Sequence, residues 1–190
     1  MSTNLEIESK ASLRKEEYEN LIASFDSSKI YEQINYYIDT ALLDIRETKC
    51  GLRIRQVGDE FELTLKVPDG DGKLEINQQI SNISVQKCLK DDLFPTGEVL
   101  DYIQANLGIK REQLHVLGKL VTNRLDVTYK SSLISIDKSM YNGFTDYEIE
   151  CEDGSLESSL KNLKDFLAEH DVKYRENKRS KLRRFLETLA

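Results

Sequence analysis

Polar and apolar side chains alternate along most of the segments that lie between turns in this chain. The pattern is clearest in GLRIRQV at 51–57, FELTLKV at 61–67 and YEIECE at 147–152. Because side chains two residues apart lie on the same face of a β-strand, this alternation predicts strands with one apolar and one polar face. Such strands are typical of antiparallel sheets, in which only one face is packed against a core. Gly58 and the two acidic residues after it separate the first two segments and predict a β-hairpin.

Apolar residues also recur at helical spacing near the beginning, in the middle and at the end of the chain. We predict amphipathic helices at residues 12–25, around Val99 and Ile103, and at residues 156–170. The basic stretch 173–184 predicts a further short helix. Since strands precede and follow the middle segment, we expect one domain over residues 1–190, with a helical insert at about 84–112. The fold class is α+β, with about eight antiparallel strands in a barrel or a strongly curved sheet.

The polar faces of the predicted strands carry ionisable side chains of both signs and few serines or threonines. One interpretation is a solvated face, as many antiparallel sheets have. The other is a binding site, because the helices can cover the apolar face and a closed sheet would enclose the charges. Enclosed charges are costly unless they contact water, ions or a charged ligand.

The residue types on these faces indicate the ligand. Arginine offers paired donors to phosphate and lysine offers a point charge. The basic residues on the polar faces are Lys10, Arg53, Arg55, Lys66 and Arg124. The acidic residues are Glu6, Glu8, Glu148 and Glu150. Carboxylates would repel a polyphosphate unless Mg²⁺ or Mn²⁺ lay between them, so the pattern favours a metal-bound polyphosphate. The sequence has no P-loop motif and no kinase motif.

Other classes of protein are disfavoured by composition. The net charge of −7 and a pI near 5.0 argue against a nucleic-acid partner. No run approaches the roughly 20 apolar residues of a membrane span, and the first residues do not resemble a secretory signal. We therefore expect a cytoplasmic protein without a membrane partner. The three cysteines and two histidines lack metal-ligand spacing, which argues against a zinc site.

An ordered set of motifs, from residue 5 to about 185, resembles one known family. The motifs are Glu6-x-Glu8-x-Lys10, Tyr37-Ile38-Asp39-Thr40, Leu52-Arg53-Ile54-Arg55, Leu63-Thr64-Leu65-Lys66, Glu75, Arg124, Asp137, Glu148-x-Glu150 and Ser180-Lys181. Together they are similar to the signature of the CYTH family, the triphosphate tunnel metalloenzymes. The resemblance is closest to uncharacterised CYTH proteins of low-GC Gram-positive bacteria.

The resemblance implies a closed antiparallel β-barrel that forms a charged tunnel, with helices outside. It implies that the triphosphate is bound by Lys10, Arg53, Arg55, Lys66, Arg124 and Lys181. It implies that Mg²⁺ or Mn²⁺ is bound by Glu6, Glu8, Asp137, Glu148 and Glu150, with Glu75 as a supporting residue. We assign no general base.

The expected function is hydrolysis of a triphosphate, which is inorganic tripolyphosphate or a nucleoside or thiamine triphosphate. Two alternatives stay open: an adenylyl cyclase of the CYTH type, and a non-catalytic protein that binds polyphosphate or nucleotide. The His-Phe pair that usually precedes the first motif in the cyclase branch is missing, which favours hydrolysis. Asn77 and Thr122 stand where many members have a glutamate and a basic residue, which keeps the non-catalytic binding protein open as an alternative. The sequence predicts neither the physiological triphosphate nor the oligomeric state.

Overall fold

The computed structural model describes residues 2–189 and has an α+β fold. The strands are β1 Ser2–Glu6, β2 Glu8–Ser12, β3 Tyr31–Thr40, β4 Gly51–Val57, β5 Glu60–Asp69, β6 Gly72–Gln79, β7 Leu114–Tyr129, β8 Ser132–Tyr141 and β9 Phe144–Glu152. The α-helices are α1 Lys15–Ala23, α2 Asp44–Glu47, α3 Asn82–Asp91, α4 Glu98–Leu107, α5 Leu156–Glu169 and α6 Lys181–Glu187. Within this part of the chain, no helix combines the length and the apolar character that a membrane span requires.

The nine strands follow the hydrogen-bonded order β1-β6-β5-β4-β3-β7-β8-β9-β2. The predicted α+β class is confirmed, and the predicted number of about eight strands is close to the nine observed. The predicted closed barrel is wrong, because β1 and β2 end the order and do not pair with each other. The short connection between β1 and β2 explains why they do not pair. Only Ile7 separates these two strands, and a hairpin between them would need a connection of about two residues.

Residues 2–5 and 33–120 form one compact unit, called unit 1 below. Its core lies between the apolar faces of β4 and β5 and the helices α3 and α4. The two helices lie between β6 and β7, where the sequence predicts the helical insert. Side chains such as Leu63 and Leu65 on β5 and Ile103 on α4 are almost fully buried. The alternation of the strands therefore leaves Arg53 and Thr64 on the opposite face.

The Tyr37–Thr40 motif of unit 1 has a clear structural role. The carboxylate of Asp39 accepts hydrogen bonds from the backbone N–H groups of Thr40 at 2.7 Å, Ile45 at 2.9 Å and Arg46 at 3.0 Å. It therefore satisfies donors at the N-terminus of α2 that have no partner within the helix. Burial nevertheless raises the pKa of Asp39 above its ordinary value, because it outweighs these hydrogen bonds.

Residues 6–32 and 121–189 form the other compact unit, called unit 2 below. The helices α1 and α5 pack on the apolar face of β8, β9 and β2. Residues Ile134, Ile136 and Ile149 of the strands and Phe166 of α5 are buried in this core. As in unit 1, the helices cover the apolar face, so the ionisable side chains of the same strands point the other way.

The C-terminal segment of unit 2 lies along β2 before its last helix begins. The carbonyl of Arg175 accepts from the N–H of Ser12 at 2.9 Å, and the N–H of Asn177 donates to the carbonyl of Lys10 at 3.2 Å. The predicted helix at 173–184 is wrong over its first part for this reason. The Ser180 hydroxyl accepts from the N–H of Arg183 and caps α6, which begins at Lys181.

We expect Phe166→Ala to lower the free energy of unfolding by about 3–5 kcal/mol, because it opens a cavity in the core of unit 2. Phe166 is 2% exposed, and its ring lies 5.2 Å from that of Tyr129 and 6.2 Å from that of Phe25. Urea unfolding followed by circular dichroism measures the change. The matched control is Phe144→Ala, since Phe144 is 57% exposed and should change stability by about 0.5 kcal/mol or less. Equal losses for the two variants would contradict this packing.

Candidate functional site

The strand register of unit 2 places the predicted site residues in two adjacent rows on the polar face. In one row Arg124 of β7 pairs with Asp137 of β8, which pairs with Glu148 of β9. In the next row Glu150 of β9 pairs with Lys10 of β2. Because residues opposite each other in a sheet have side chains within contact distance, the register alone brings acidic and basic groups together.

Basic side chains separate the carboxylates in these rows. The Lys10 ammonium lies 2.9 Å from Glu150 Oε1 and 2.8 Å from Glu8 Oε1. The Arg124 guanidinium donates to Asp137 Oδ1 at 2.8 Å through Nε and to Glu150 Oε2 at 2.7 Å through Nη2. Each guanidinium or ammonium thus contacts two or more carboxylates, which makes the rows one connected ionic network.

Lys181 enters the same network from α6. Its Nζ lies 2.7 Å from Asp137 Oδ2 and 2.8 Å from Glu150 Oε1, and it also forms an ion pair with Glu148 Oε1. The side chain is buried although it belongs to a strongly basic part of the sequence. Lys181 is therefore part of the charged site and does not lie on a solvated helix face.

The ion pairs of the network keep four of its members, Lys10, Arg124, Glu150 and Lys181, in the charged form. Burial alone would raise the pKa of Glu150, but Lys10, Lys181 and Arg124 outweigh it, and that pKa lies well below the ordinary value. Burial alone would lower the pKa of Lys10, but Glu150, Glu8 and Glu148 outweigh it, and that pKa is raised. The pKa values of Lys181 and Arg124 are raised in the same way by the surrounding carboxylates. Strong shifts between buried partners are typical of functional sites.

Three of the carboxylates are close enough to share a cation. Asp137, Glu148 and Glu150, called the carboxylate cluster below, each offer one ligand atom, and these atoms lie within 4.8 Å of one another. All three residues are buried. Carboxylate oxygens are hard ligands that suit Mg²⁺ and Mn²⁺. The donor set therefore fits the metal that the family resemblance implies.

Glu148 has partners that the sequence did not reveal. Its Oε2 accepts from Asn177 Nδ2 at 2.7 Å and lies 3.0 Å from Arg184 Nη1. Arg184 is itself 6% exposed and donates through Nε to Asp146 at 2.7 Å. Arg184 follows Lys181 by three residues, so the two share one face of α6. This spacing is the feature of the sequence that could have identified Arg184 as a residue of the site.

Two predicted metal ligands lie outside the carboxylate cluster. Glu6 is the last residue of β1 and Glu8 the first residue of β2. Glu8 is connected to the cluster through Lys10, which also contacts Glu150. Their role as metal ligands stays a prediction.

The predicted residues of unit 1 form a second charged group. Glu75 Oε1 lies 2.9 Å from Lys66 Nζ and 3.3 Å from Arg53 Nη2, so the supporting carboxylate joins two of the predicted phosphate contacts. Arg53 and Arg55 lie two apart on β4 and therefore face the same side. Their role in phosphate binding stays a prediction.

The two departures from the family pattern are both buried. Thr122 lies 3.1 Å from the Ser139 hydroxyl, so these two neutral groups satisfy each other. Asn77 pairs with Thr64 in the strand register. Among residues 2–189, neither Asn77 Oδ1 nor Thr64 Oγ1 has a hydrogen-bond partner, and both atoms are buried. A neutral polar pair thus lies beside Arg53 on this face.

Comparisons with known proteins agree with these motifs. The family model described as "CYTH domain" matches residues 4–186. The chain is 33% identical over 189 residues to "Putative triphosphatase YjbK" of Bacillus subtilis, covering 98% of this chain and 97% of that protein. Bacillus subtilis is a low-GC Gram-positive bacterium, so the predicted resemblance is confirmed in this respect too.

Solved structures share the fold. A protein of Bacillus halodurans described as a "putative adenylate cyclase" is 32% identical, with a TM-score of 0.90 and coverage of 97% of this chain and 99% of that chain. A Hippeastrum protein described as "putative adenylyl cyclase HpAC1", with a dominant triphosphatase activity, has a TM-score of 0.83 and 23% identity. The match covers 96% of this chain and 95% of the Hippeastrum chain. At this sequence identity it shows only that the fold is shared. By the family match over nearly its whole length, this chain belongs to the CYTH family.

Proposed function

We propose that this CYTH protein is a triphosphatase that requires Mg²⁺ or Mn²⁺. Its substrate is inorganic tripolyphosphate or a nucleoside or thiamine triphosphate. The observation that carries the proposal is the carboxylate cluster of unit 2, in which buried acidic groups contact Lys10, Arg124 and Lys181. The name of the Bacillus subtilis relative supports the same reaction.

A purely structural role accounts poorly for this network. Taking charges out of water costs several kcal/mol for each ion, and apolar residues of similar volume are often equally stable or more stable. The buried groups include Asp137, which is 0% exposed, and Glu148, which is 1% exposed. The side chains that pack between the helices and the strands of both units are apolar, so this concentration of charge on the opposite face favours a site for a charged ligand.

The basic residues can bind the phosphate chain. Arg124 has a planar fork that matches two phosphate oxygens, while Lys10 and Lys181 supply mobile point charges. The metal, when bound to the carboxylate cluster, would neutralise phosphate charge and polarise the terminal phosphoryl group. The side chains of Lys10, Arg124 and Lys181 would hold the terminal phosphorus in position for in-line attack by water. Arg53, Arg55 and Lys66 of unit 1 remain predicted phosphate contacts.

A second candidate function is adenylyl cyclisation, which the description of the Bacillus halodurans relative favours. Cyclisation needs a pocket that folds the ribose onto the α-phosphorus, whereas the residues identified here account for a bare triphosphate. The predicted cytoplasmic location, and the predicted lack of nucleic-acid and membrane partners, stay predictions.

The products distinguish these functions. We expect inorganic tripolyphosphate to be hydrolysed faster than ATP, and ATP to give ADP and phosphate if it reacts. The measurement is chromatographic separation of products after incubation with each compound and Mg²⁺ or Mn²⁺. Cyclic AMP and pyrophosphate as the main products, with tripolyphosphate unchanged, would establish the cyclase instead. Tight binding of both compounds without turnover would establish the binding protein.

We expect Arg53→Ala to weaken the binding of tripolyphosphate about tenfold or more, because a charge-assisted hydrogen bond contributes about 1.5–3 kcal/mol. Arg53→Lys should restore only part of the affinity, since an ammonium lacks the paired donors. Titration calorimetry with tripolyphosphate measures both variants. The control is Arg111→Ala, an arginine of unit 1 whose side chain is 44% exposed. Unchanged affinity in Arg53→Ala would mean that the polar face of β4 is solvated and does not bind the phosphate chain.

A further inference from the structure

The ammonium of Lys181 is bound by all members of the carboxylate cluster. It lies 2.7 Å from Asp137 Oδ2 and 2.8 Å from Glu150 Oε1, and it forms an ion pair with Glu148 Oε1. The contact with Glu150 Oε1 is a hydrogen bond, and the contacts with Asp137 and Glu148 are ion pairs. Lys181 thus already supplies a positive charge at the point where the oxygens of the cluster converge.

A metal ion bound by the carboxylate cluster would occupy the position that the Lys181 ammonium now occupies. Mg²⁺ binds oxygen at about 2.0–2.1 Å, so an ion held by these carboxylates would stand where the ammonium now stands. Two cations cannot share this place, because they would repel each other at contact distance. Lysine has a flexible side chain of four methylene groups, which allows its ammonium to move aside.

The other oxygen of Glu148 is held independently of Lys181. Glu148 Oε2 accepts from Asn177 Nδ2 at 2.7 Å and contacts Arg184 Nη1 at 3.0 Å. Arg184 is fixed by Asp146, at 2.7 Å from Nε, and by the carbonyl of Arg179, at 2.7 Å from Nη1. The carboxylate therefore keeps its orientation when the ammonium leaves Oε1.

We propose that Lys181 occupies the cation position of the metal-free protein and exchanges with the metal, while Arg184 is a positioning residue that holds Glu148 through Oε2. This inference rests on the proposed function. In the absence of triphosphate, a metal ion must displace the ammonium from its three carboxylates. Triphosphate offers the released ammonium new acceptors, so metal and triphosphate favour each other's binding.

The test is titration calorimetry with MnCl₂ in the absence of triphosphate, on variants whose folding is checked by thermal unfolding. We expect Lys181→Met to bind Mn²⁺ about tenfold tighter than the unmodified protein, because the competing ammonium is gone. The matched control is Lys10→Met, which removes one positive charge from the same network. Lys10 contacts Glu150 and Glu8 but has no ion pair with Asp137 or Glu148, so its effect should be clearly smaller.

Arg184→Met tests the second half of the proposal. If Arg184 acted only through its charge, its loss beside the cluster should tighten Mn²⁺ binding. If Arg184 orients Glu148, however, its loss should weaken Mn²⁺ binding by about 10- to 100-fold, as is typical for groups that orient a metal ligand, and we expect this weaker binding. If Arg184→Met does not fold, Asn177→Ala removes the other hydrogen bond to Oε2 and should weaken Mn²⁺ binding in the same direction. If Lys181→Met does not fold, Lys181→Gln replaces it.

The outcomes separate the inference from the function on which it rests. Equal tightening in Lys181→Met and Lys10→Met would show an effect of net charge only and would overturn the exchange. Tighter binding in Arg184→Met, or in its substitute, would overturn the positioning role. Absence of Mn²⁺ binding in every variant, with and without tripolyphosphate, would overturn the proposed metal-dependent function together with the inference.

Discussion

Replacing Glu150 by glutamine is expected to lower the rate of triphosphate hydrolysis by about 100-fold or more, similar to the loss of one electrostatic stabiliser of a transition state. Glu150 contacts Lys10 and Lys181 through Oε1 and Arg124 through Oε2. Glutamine keeps the shape of the side chain and removes its charge. Glu148→Gln should have an effect of similar size, because Glu148 is another buried member of the carboxylate cluster.

The measurement is the steady-state rate of phosphate release from tripolyphosphate, with thermal unfolding to establish that each variant is folded. Glu157→Gln is the control, since Glu157 lies exposed in the first turn of α5 and outside the ionic network of β9. Rates close to those of the unmodified protein in both Glu148→Gln and Glu150→Gln would remove the carboxylate cluster from the reaction.

Removal of divalent metal by EDTA is expected to abolish hydrolysis. Without a divalent cation, the carboxylates of the cluster would repel the phosphate chain, and the basic residues would stay paired to those carboxylates. Excess Mg²⁺ or Mn²⁺ should restore the full rate. The control is a thermal unfolding curve in EDTA, which should still show a folded protein because the ion pairs of the cluster do not require the metal. Full turnover in EDTA would contradict a metal-bound reaction.

The composition of the polar face was predictable from the sequence because a strand has a period of two residues. Lys10, Arg124 and Glu150 were each assigned to a polar face, and strand pairing does bring them together with Asp137. The helices on the apolar faces were predictable for a similar reason. Both predictions, of the polar faces and of the helices, depend only on the spacing of polar and apolar residues along the chain.

Features that depend on distant pairing were not predictable in this way. The break at Ile7 sends β1 to pair with β6 and β2 to pair with β9, and no local pattern marks either partner. The contacts of Glu148 with Asn177 and Arg184 depend on a C-terminal segment that lies along β2. In the sequence this segment is a basic stretch, which is typical of a solvated helix.

The most direct test of the carboxylate cluster as the metal and triphosphate site is anomalous scattering from crystals that contain Mn²⁺ and tripolyphosphate. An anomalous peak is expected at about 2 Å from oxygens of Asp137, Glu148 and Glu150. Lys181 Nζ is expected to leave these carboxylates and to contact a phosphate oxygen. Manganese bound elsewhere, with Lys181 still bound to Asp137 and Glu150, would contradict the assignment of the cluster as the metal site.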